Sequence, residues 1–389
     1  MARHISPEPS SGSAFAIALG GLVALAVGIG VGRFVYTPIL PFMTEALGLT
    51  PAESGLIASS NFLGHLVGAL AAVRARMRGG HRRWLLWALA LSAATTAAMG
   101  LTTSMAGFIV LRFAGGVASA LAIVLTTALV LDRLAAYGRP GLSWMPYAGV
   151  GTGIALSAVL VAALGAHGAQ WAELWMACGA LSLTGLVACV CLFREVPGAA
   201  SQPPAHLEDG AARSLPRLVI AYGLFGFGYV ITATFISQMV RTTPQIASVE
   251  PIVWLLVGLA ALPSVAFWIW LDRRLGHCLA FSLACLLGGL CIGASVFETS
   301  IAAVLLAAAG LGATFMGITA LGLINARRSI AGDPRRVAAV MTASFGLGQM
   351  IGPTFAGYAY RIGDSFQIPS LAAAAALVAA AALTVRLRA

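Results

Sequence analysis

Two arginines and a histidine lie inside stretches of this chain that are otherwise almost wholly apolar, and chemistry has to be sought there first. Arg33 sits in Gly30-Val31-Gly32-Arg33-Phe34-Val35-Tyr36-Thr37, Arg112 precedes Gly115 and Gly116, and His65 follows Asn61 by four residues. An ionised side chain at the centre of a bilayer costs roughly 2.5–3.5 kcal/mol on insertion scales, so it faces a cavity or a partner. A guanidinium offers a planar fork of donors that suits a carboxylate, a phosphate or another oxyanion. Arg33 and Arg112 are therefore the leading candidates for binding an anionic solute. The competing role is structural: each could bond backbone carbonyls where Gly30, Gly32, Gly115 and Gly116 thin the helices.

His65 is the candidate proton carrier. No Asp or Glu falls in the middle of an apolar stretch, and an imidazole titrates near physiological pH. Asn61 shares its helix face, and a buried histidine satisfied by a neighbour is the alternative. Tyr36, Asn61, Tyr147, Tyr229, Asn325 and Gln349 could supply neutral hydrogen bonds to a solute, although helix-to-helix bonding would retain the same residue types.

These residues need elements to hold them. The 389-residue chain is 59% hydrophobic and only 9% charged, with a mean hydropathy of +0.92. Such a surface must be solvated by lipid. The apolar runs are long enough for helices that cross about 30 Å of hydrocarbon, and the short alternating segments of a β-barrel are absent. Twelve spans are expected at roughly 13–44, 51–73, 84–102, 105–131, 141–165, 170–193, 217–240, 250–271, 278–297, 300–325, 336–360 and 367–386. The first is too long for a signal-peptide core and runs on into Arg33, Pro38 and Pro41, so it is read as a retained helix.

The chain also repeats itself. Gly226-Phe227-Gly228-Tyr229-Val230-Ile231-Thr232 stands 196 residues after the Gly30 run, and Gly149, Gly151 and Thr152 return as Gly346, Gly348 and Gln349 at an offset of 197. Halves that repeat in this way close around one site near the bilayer midplane. Residues 1–193 and 217–389 are expected to form two six-helix bundles. Between them 194–216 collects Pro197, Pro203, Pro204, Glu208, Asp209 and Arg213 and reads as a linker too short for a soluble domain. Gly64/Gly68, Gly149/Gly153 and Gly348/Gly352 recur every four residues, as close helix approach requires. The alanine-rich stretch from Leu371 to Leu383 has no polar handle and is expected to face lipid as scaffold.

Charge fixes an orientation. The net charge is +10 and all 23 basic residues are arginine. With a cytoplasmic N-terminus, Arg74, Arg76, Arg78, Arg82 and Arg83 fall in one inner connection, and Arg273, Arg274, Arg327, Arg328, Arg335 and Arg336 in later ones. Arg241 and Arg361 fall outside, with Glu45, Glu53, Glu173, Glu250, Glu298 and Asp364. That is the positive-inside bias, and it places both termini in the cytoplasm. Arginines spread over separate short loops do not make a nucleic-acid face. The six cysteines lie in apolar spans and are expected to be buried free thiols. No zinc spacing, phosphate-cradling loop or nucleophile elbow occurs, so no metal, cofactor or ATP hydrolysis is expected.

Gly30-Val31-Gly32-Arg33-Phe34-Val35-Tyr36-Thr37-Pro38-Ile39-Leu40-Pro41 resembles the first-helix signature of the YbfB/YjiJ-type branch of the major facilitator superfamily (MFS). Arg112, Gly116 and Ala120 match that superfamily's fourth-helix pattern R-x3-G-x3-A, and Asp272-Arg273-Arg274-Leu275-Gly276-His277 is similar to its cytoplasmic loop pattern. The resemblance covers essentially the whole chain. It implies an all-α membrane protein of twelve transmembrane helices in two pseudo-symmetric bundles, with the first and fourth helices beside the cavity and Asp272, Arg273 and Gly276 in a gating loop. Two departures stand out. The first half has Ala72 and its neighbours where the loop aspartate belongs, and Gly149–Leu156 lacks the glycine-proline pattern linked with antiport, while Gly352-Pro353 occurs in the eleventh helix.

The expected activity is alternating-access transport of a small organic solute, as a uniporter or coupled to an ion such as the proton, with a polar or anionic metabolite favoured. A proton-driven exporter of amphipathic compounds is the second reading, and a non-transporting sensor with a transporter fold the third. The expected protein is not an enzyme. It is a monomer in the bacterial inner membrane whose partners are its solute, lipid and protons.

Overall fold

In hydrocarbon every backbone N–H and C=O must find a partner within the protein, which helices provide segment by segment. The computed structural model describes residues 11–74, 80–193, 215–328 and 334–385, apart from the side chains of 11–12, 73–74, 323–328, 334–336 and 338. Most of the linker, Arg76 and Arg78, and the side chains of Arg74, Asn325, Arg327, Arg328, Arg335 and Arg336 therefore lie outside the described residues. Among those described there is no strand.

The first span is α1 (Ser11–Leu25), a π-helical stretch (Ala26–Val31), a turn, and α2 (Tyr36–Leu47). The first half continues with α3 (Pro51–Arg74), α4 (His81–Ala98), α5 (Met105–Ala136), α6 (Met145–Ala166) and α7 (Trp171–Leu192). The second half holds α8 (Leu215–Thr242), α9 (Glu250–Leu275), α10 (His277–Phe297), α11 (Ile301–Arg328), α12 (Pro334–Gly363) and α13 (Gln367–Val385). Among the described residues eleven helices are long and apolar enough to cross a membrane. The twelfth crossing is α12, whose interior carries Ser344, Gln349 and Thr354 and is correspondingly less apolar. Gly276, at φ +82°, lets the chain reverse between α9 and α10 without the strain a side chain would bring.

Packing repeats with the sequence. In the first half α3 packs on α5, α4 on α7 and α1 on α6; in the second α9 packs on α11, α10 on α13 and α8 on α12. The main contacts between the halves, α3 with α12 and α6 with α9, exchange under the same pseudo-two-fold relation. The α3–α5 approach depends on absent side chains. A Cβ on Gly64 would run into Phe113 O, and one on Gly116 would meet Asn61 O and stand 2.9 Å from His65 N. This backbone-to-backbone contact sets Asn61 and His65 against α5.

Two expectations need correcting. Cys191 is exposed and Cys278 only half-buried, whereas Cys178, Cys189, Cys285 and Cys291 are buried; all six are free. A span need only be apolar, so its outer face can carry a thiol into lipid. Likewise α13 is not purely lipid-facing. Leu371 and Val378 are exposed, but Ala373, Leu377 and Ala380 are buried where α13 packs on α8 and α10.

The halves are tied together at the end of the bundle away from the linker. Arg241 donates to both oxygens of Glu45 at 2.7 and 2.9 Å, stands 4.0 Å from Glu250 and lies over the Phe42 ring at 4.2 Å. Thr44 bonds Gln238 at 3.0 Å, and further along the helices Thr37 donates to Ala233 O at 2.5 Å and Thr354 to Ser59 at 2.8 Å. An exposed ion pair contributes about 0.2–1 kcal/mol, so losing it shifts an open/closed ratio by up to about fivefold. With spin labels on the exposed Ala46 and Thr242, Glu45→Gln is expected to lengthen the inter-label distance distribution by that degree. An unchanged distribution would remove the ion pair from closure.

Candidate functional site

The site begins with a broken helix. Pro38 has no N–H to offer Phe34 O, and Thr37 N turns back three residues to that carbonyl at 3.2 Å. Upstream, Gly32 N and Phe34 N reach five residues back, to Val27 O at 2.9 Å and Ile29 O at 3.3 Å. Such π-type widening is a recurrent feature of functional helices. Gly30 permits it beside α6, since a Cβ there would stand 2.6 Å from Gly153 Cα. The break turns the carbonyls of Gly32 and Arg33 out of the regular ladder, and in lipid they need another donor.

Arg112 is that donor. Its Nη1 reaches Gly32 O at 3.2 Å and its Nη2 reaches Arg33 O at 2.9 Å. The guanidinium lies 5.1 Å from the Tyr36 ring centroid, and the Tyr36 hydroxyl donates to Ser54 O at 2.9 Å. Asn61 Nδ2 donates to Arg112 O at 2.8 Å, so α2, α3 and α5 are joined around the break.

Arg33 differs. It is only 5% exposed, yet its Nε and Nη2 have no hydrogen-bond partner, and among the described residues no carboxylate pairs with it. Aromatic rings flank it instead, with Phe62 at 4.6 Å and Phe34 at 5.5 Å from the guanidinium carbon. Phe34 meets Phe315 edge-on at 5.7 Å and Trp254 at 6.2 Å, both from the second half. Phe315 stacks on Tyr229 at 5.8 Å. Gln349 directs one end of its amide at the Tyr229 hydroxyl; its other end, like the Trp254 indole N–H and Asn61 Oδ1, is buried without a partner. The region thus holds two buried arginines with no carboxylate partner among the described residues, of which Arg112 bonds two carbonyls and Arg33 leaves two donors unpartnered, together with several unsatisfied neutral groups and an aromatic wall.

His65 Nδ1 lies 2.9 Å from Ser119 Oγ, and the Ser119 hydroxyl donates to Gly116 O at 2.8 Å. When the serine hydroxyl is given to Gly116 O, its oxygen accepts from the histidine, the tautomer with the proton on Nδ1 and Nε2 as an acceptor.

A family model for the uncharacterised MFS-type transporter YbfB matches residues 25–385, nearly the whole chain and every residue of this site. The chain belongs to this family. It is a multi-pass membrane transporter of MFS type and not an enzyme. Comparison with curated proteins finds no match. Among solved structures, a mutant of the nucleoside transporter NupG is similar with a TM-score of 0.75 at 15% identity, covering 96% of this chain and 100% of that one. NupG itself gives 0.70 at 15% identity over 97% and 100%. A bacterial homologue of the human lysosomal transporter Spinster, inward-facing and unoccupied, gives 0.67 at 14% identity over 97% and 96%. At these identities the likeness establishes the fold alone.

The other candidate residues of this YbfB-family chain are dispersed. Tyr147 is half-buried in the first turn of α6, about 9 Å along the helix from the Gly153 contact with Gly30, and towards the linker end. Asn325 lies in the last turn of α11, also at that end. Of the residues expected in a gating loop, Asp272 is buried and bonds His277 of its own half, while Arg273 is exposed. Trp254, Phe34, Phe62 and Phe315 were not singled out from sequence. Aromatic residues in a lipid-facing span have the same one-letter pattern, and Trp254 near a helix end reads as an interfacial anchor.

Arg112 and Arg33 should separate in stability. A buried carbonyl left unsatisfied costs about 1–3 kcal/mol, so Arg112→Gln is expected to lower the melting temperature of the purified protein by several degrees. Arg33→Gln removes an unpaired buried charge and should leave melting unchanged or raise it. The opposite order would sink this division of roles.

Proposed function

We propose that this YbfB-family protein is a secondary transporter that carries a small organic anion by alternating access, with Arg33 as the anion-binding group. One observation carries the reading: Arg33 is a buried cation with two free donors and no counterion among the described residues. A fixed positive charge in low dielectric without an acid beside it is a standing cost, and an anionic solute would offset it. Arg112, whose Nη1 and Nη2 are occupied by the broken helix, then acts as a positioning residue that fixes the backbone from which Arg33 projects. Tyr229, Gln349 and Asn61 are placed to add neutral hydrogen bonds. Contributions from Tyr147 and Asn325 would arise nearer the linker end, along the path.

The two halves supply the moving parts. Glycine-lined contacts between α3 and α12 and between α6 and α9 allow one bundle to rock against the other. The arginine distribution supports cytoplasmic termini in a bacterial inner membrane, which makes the Arg241–Glu45 closure the outer gate. The conformation described is then closed to the outside. The Asp272, Arg273 and Gly276 loop would serve at the inner side. Coupling to protons, where it operates, would run through His65, whose Nε2 is available to accept.

Two measurements in proteoliposomes test this. Arg33→Lys keeps the charge but loses the fork, and loss of a charge-assisted hydrogen bond, typically about 1.5–3 kcal/mol, should weaken anion affinity roughly tenfold to a hundredfold. Unchanged affinity would take Arg33 out of the site. His65→Gln is expected to abolish pH-driven accumulation while leaving solute exchange at equal pH, and an unaltered pH dependence would exclude it as the coupling group.

A further inference from the structure

The chemistry around Arg33 also limits which anion fits, on the condition that Arg33 is the anion site. We infer that the site takes a small monocarboxylate with a flat aromatic body, of the benzoate or phenylacetate kind.

The charge and the fork come first. Nε and Nη2 are the two nitrogens on the same side of a guanidinium, and in Arg33 both are buried and unpartnered. That side-on pair is spaced for the two oxygens of one carboxylate. The second guanidinium in the region is already bonded to Gly32 O and Arg33 O. Paired unpartnered donors are thus offered for one anionic group only, so a second carboxylate, or the third oxygen of a phosphate, would find no fork of its own. One carboxylate takes both donors.

The walls define the rest of the ligand. Phe62 and Phe34 flank the guanidinium, and Phe34 continues into Phe315 and Trp254. Behind Phe315 stand Tyr229 and Phe345, nearly parallel to each other at an interplanar angle of 6°. A ring attached to the carboxylate would extend into aromatic neighbours drawn from both halves and gain offset or edge contacts with them. A short aliphatic acid would occupy the fork and leave the walls without a partner. Trp254, whose ring lies 6.2 Å from Phe34, brings a buried, unpartnered N–H from the second half to the same cluster, so one ligand could be held by both bundles at once.

The test uses full-length protein in lipid nanodiscs and titrates five probes: phenylacetate, acetate, succinate, phenyl phosphate and benzyl alcohol. Phenylacetate is expected to bind at least tenfold tighter than each of the others, and Arg33→Gln to remove that binding. Phe315→Leu should shrink the phenylacetate-to-acetate ratio several-fold without changing acetate. The wild-type series alone is decisive if a variant fails to fold. Arg33-dependent binding of succinate, phenyl phosphate or acetate at equal or greater strength would overturn the aromatic monocarboxylate and leave the anion reading standing. Preference for benzyl alcohol, or anion binding indifferent to Arg33→Gln, would overturn the anion reading itself. Absence of binding by all five probes would overturn the inference.

Discussion

The carbonyls of Gly32 and Arg33 cannot be left bare in hydrocarbon, and the way they are satisfied organises everything around them. Once Pro38 and the glycines open the first span, the backbone there is viable only if a neighbouring helix supplies donors. Arg112 of α5 supplies them, and its own carbonyl takes the Asn61 amide of α3. The break is therefore held by the fourth span and indexed to the second. Arg33, on the turn that Arg112 holds, keeps buried donors with no acceptor.

Pseudo-symmetry explains where the halves can part and where they hold. The offset of 196 that aligns the two sequences also relates Thr37 to Ala233 and Glu45 to Arg241, pairs in direct contact near the axis at one end of the bundle. Residues close to a two-fold axis meet their own counterparts, so a single change in one copy, Glu against Arg, converts a self-contact into an ion pair. Further from the axis the same relation pairs α3 with α12 and α6 with α9, with close approaches at Gly55, Gly357, Gly151 and Gly258. Close glycine contacts between repeats suit a rocking pair of bundles.

Much of this was legible in the residue order. Apolar length fixes the number of crossings because bilayer thickness leaves helices little choice, and the observed helices α3, α7 and α10 begin and end within a few residues of the expected spans. The repeat was readable because both halves keep the same glycines. The chemical candidates Arg33, Arg112, His65 and Gln349 were also visible, since a polar side chain in an apolar run stands out by its cost alone.

Sequence alone determined the crossings, the repeat and the short list of polar residues, for the physical reason that each follows from local composition measured against a lipid solvent. Only the tertiary structure decided what each polar residue faces. Arg33 and Arg112 read alike in one dimension, as arginines beside glycines, but one meets two carbonyls and the other meets rings. The same holds for Trp254, Phe62 and Phe315. An aromatic side chain costs nothing to place in lipid, in a core or against a cavity, so composition cannot distinguish these settings. The direction each helix face takes is set by packing between spans far apart in the chain, and that packing alone gathers the rings around Arg33 and its unpartnered donors.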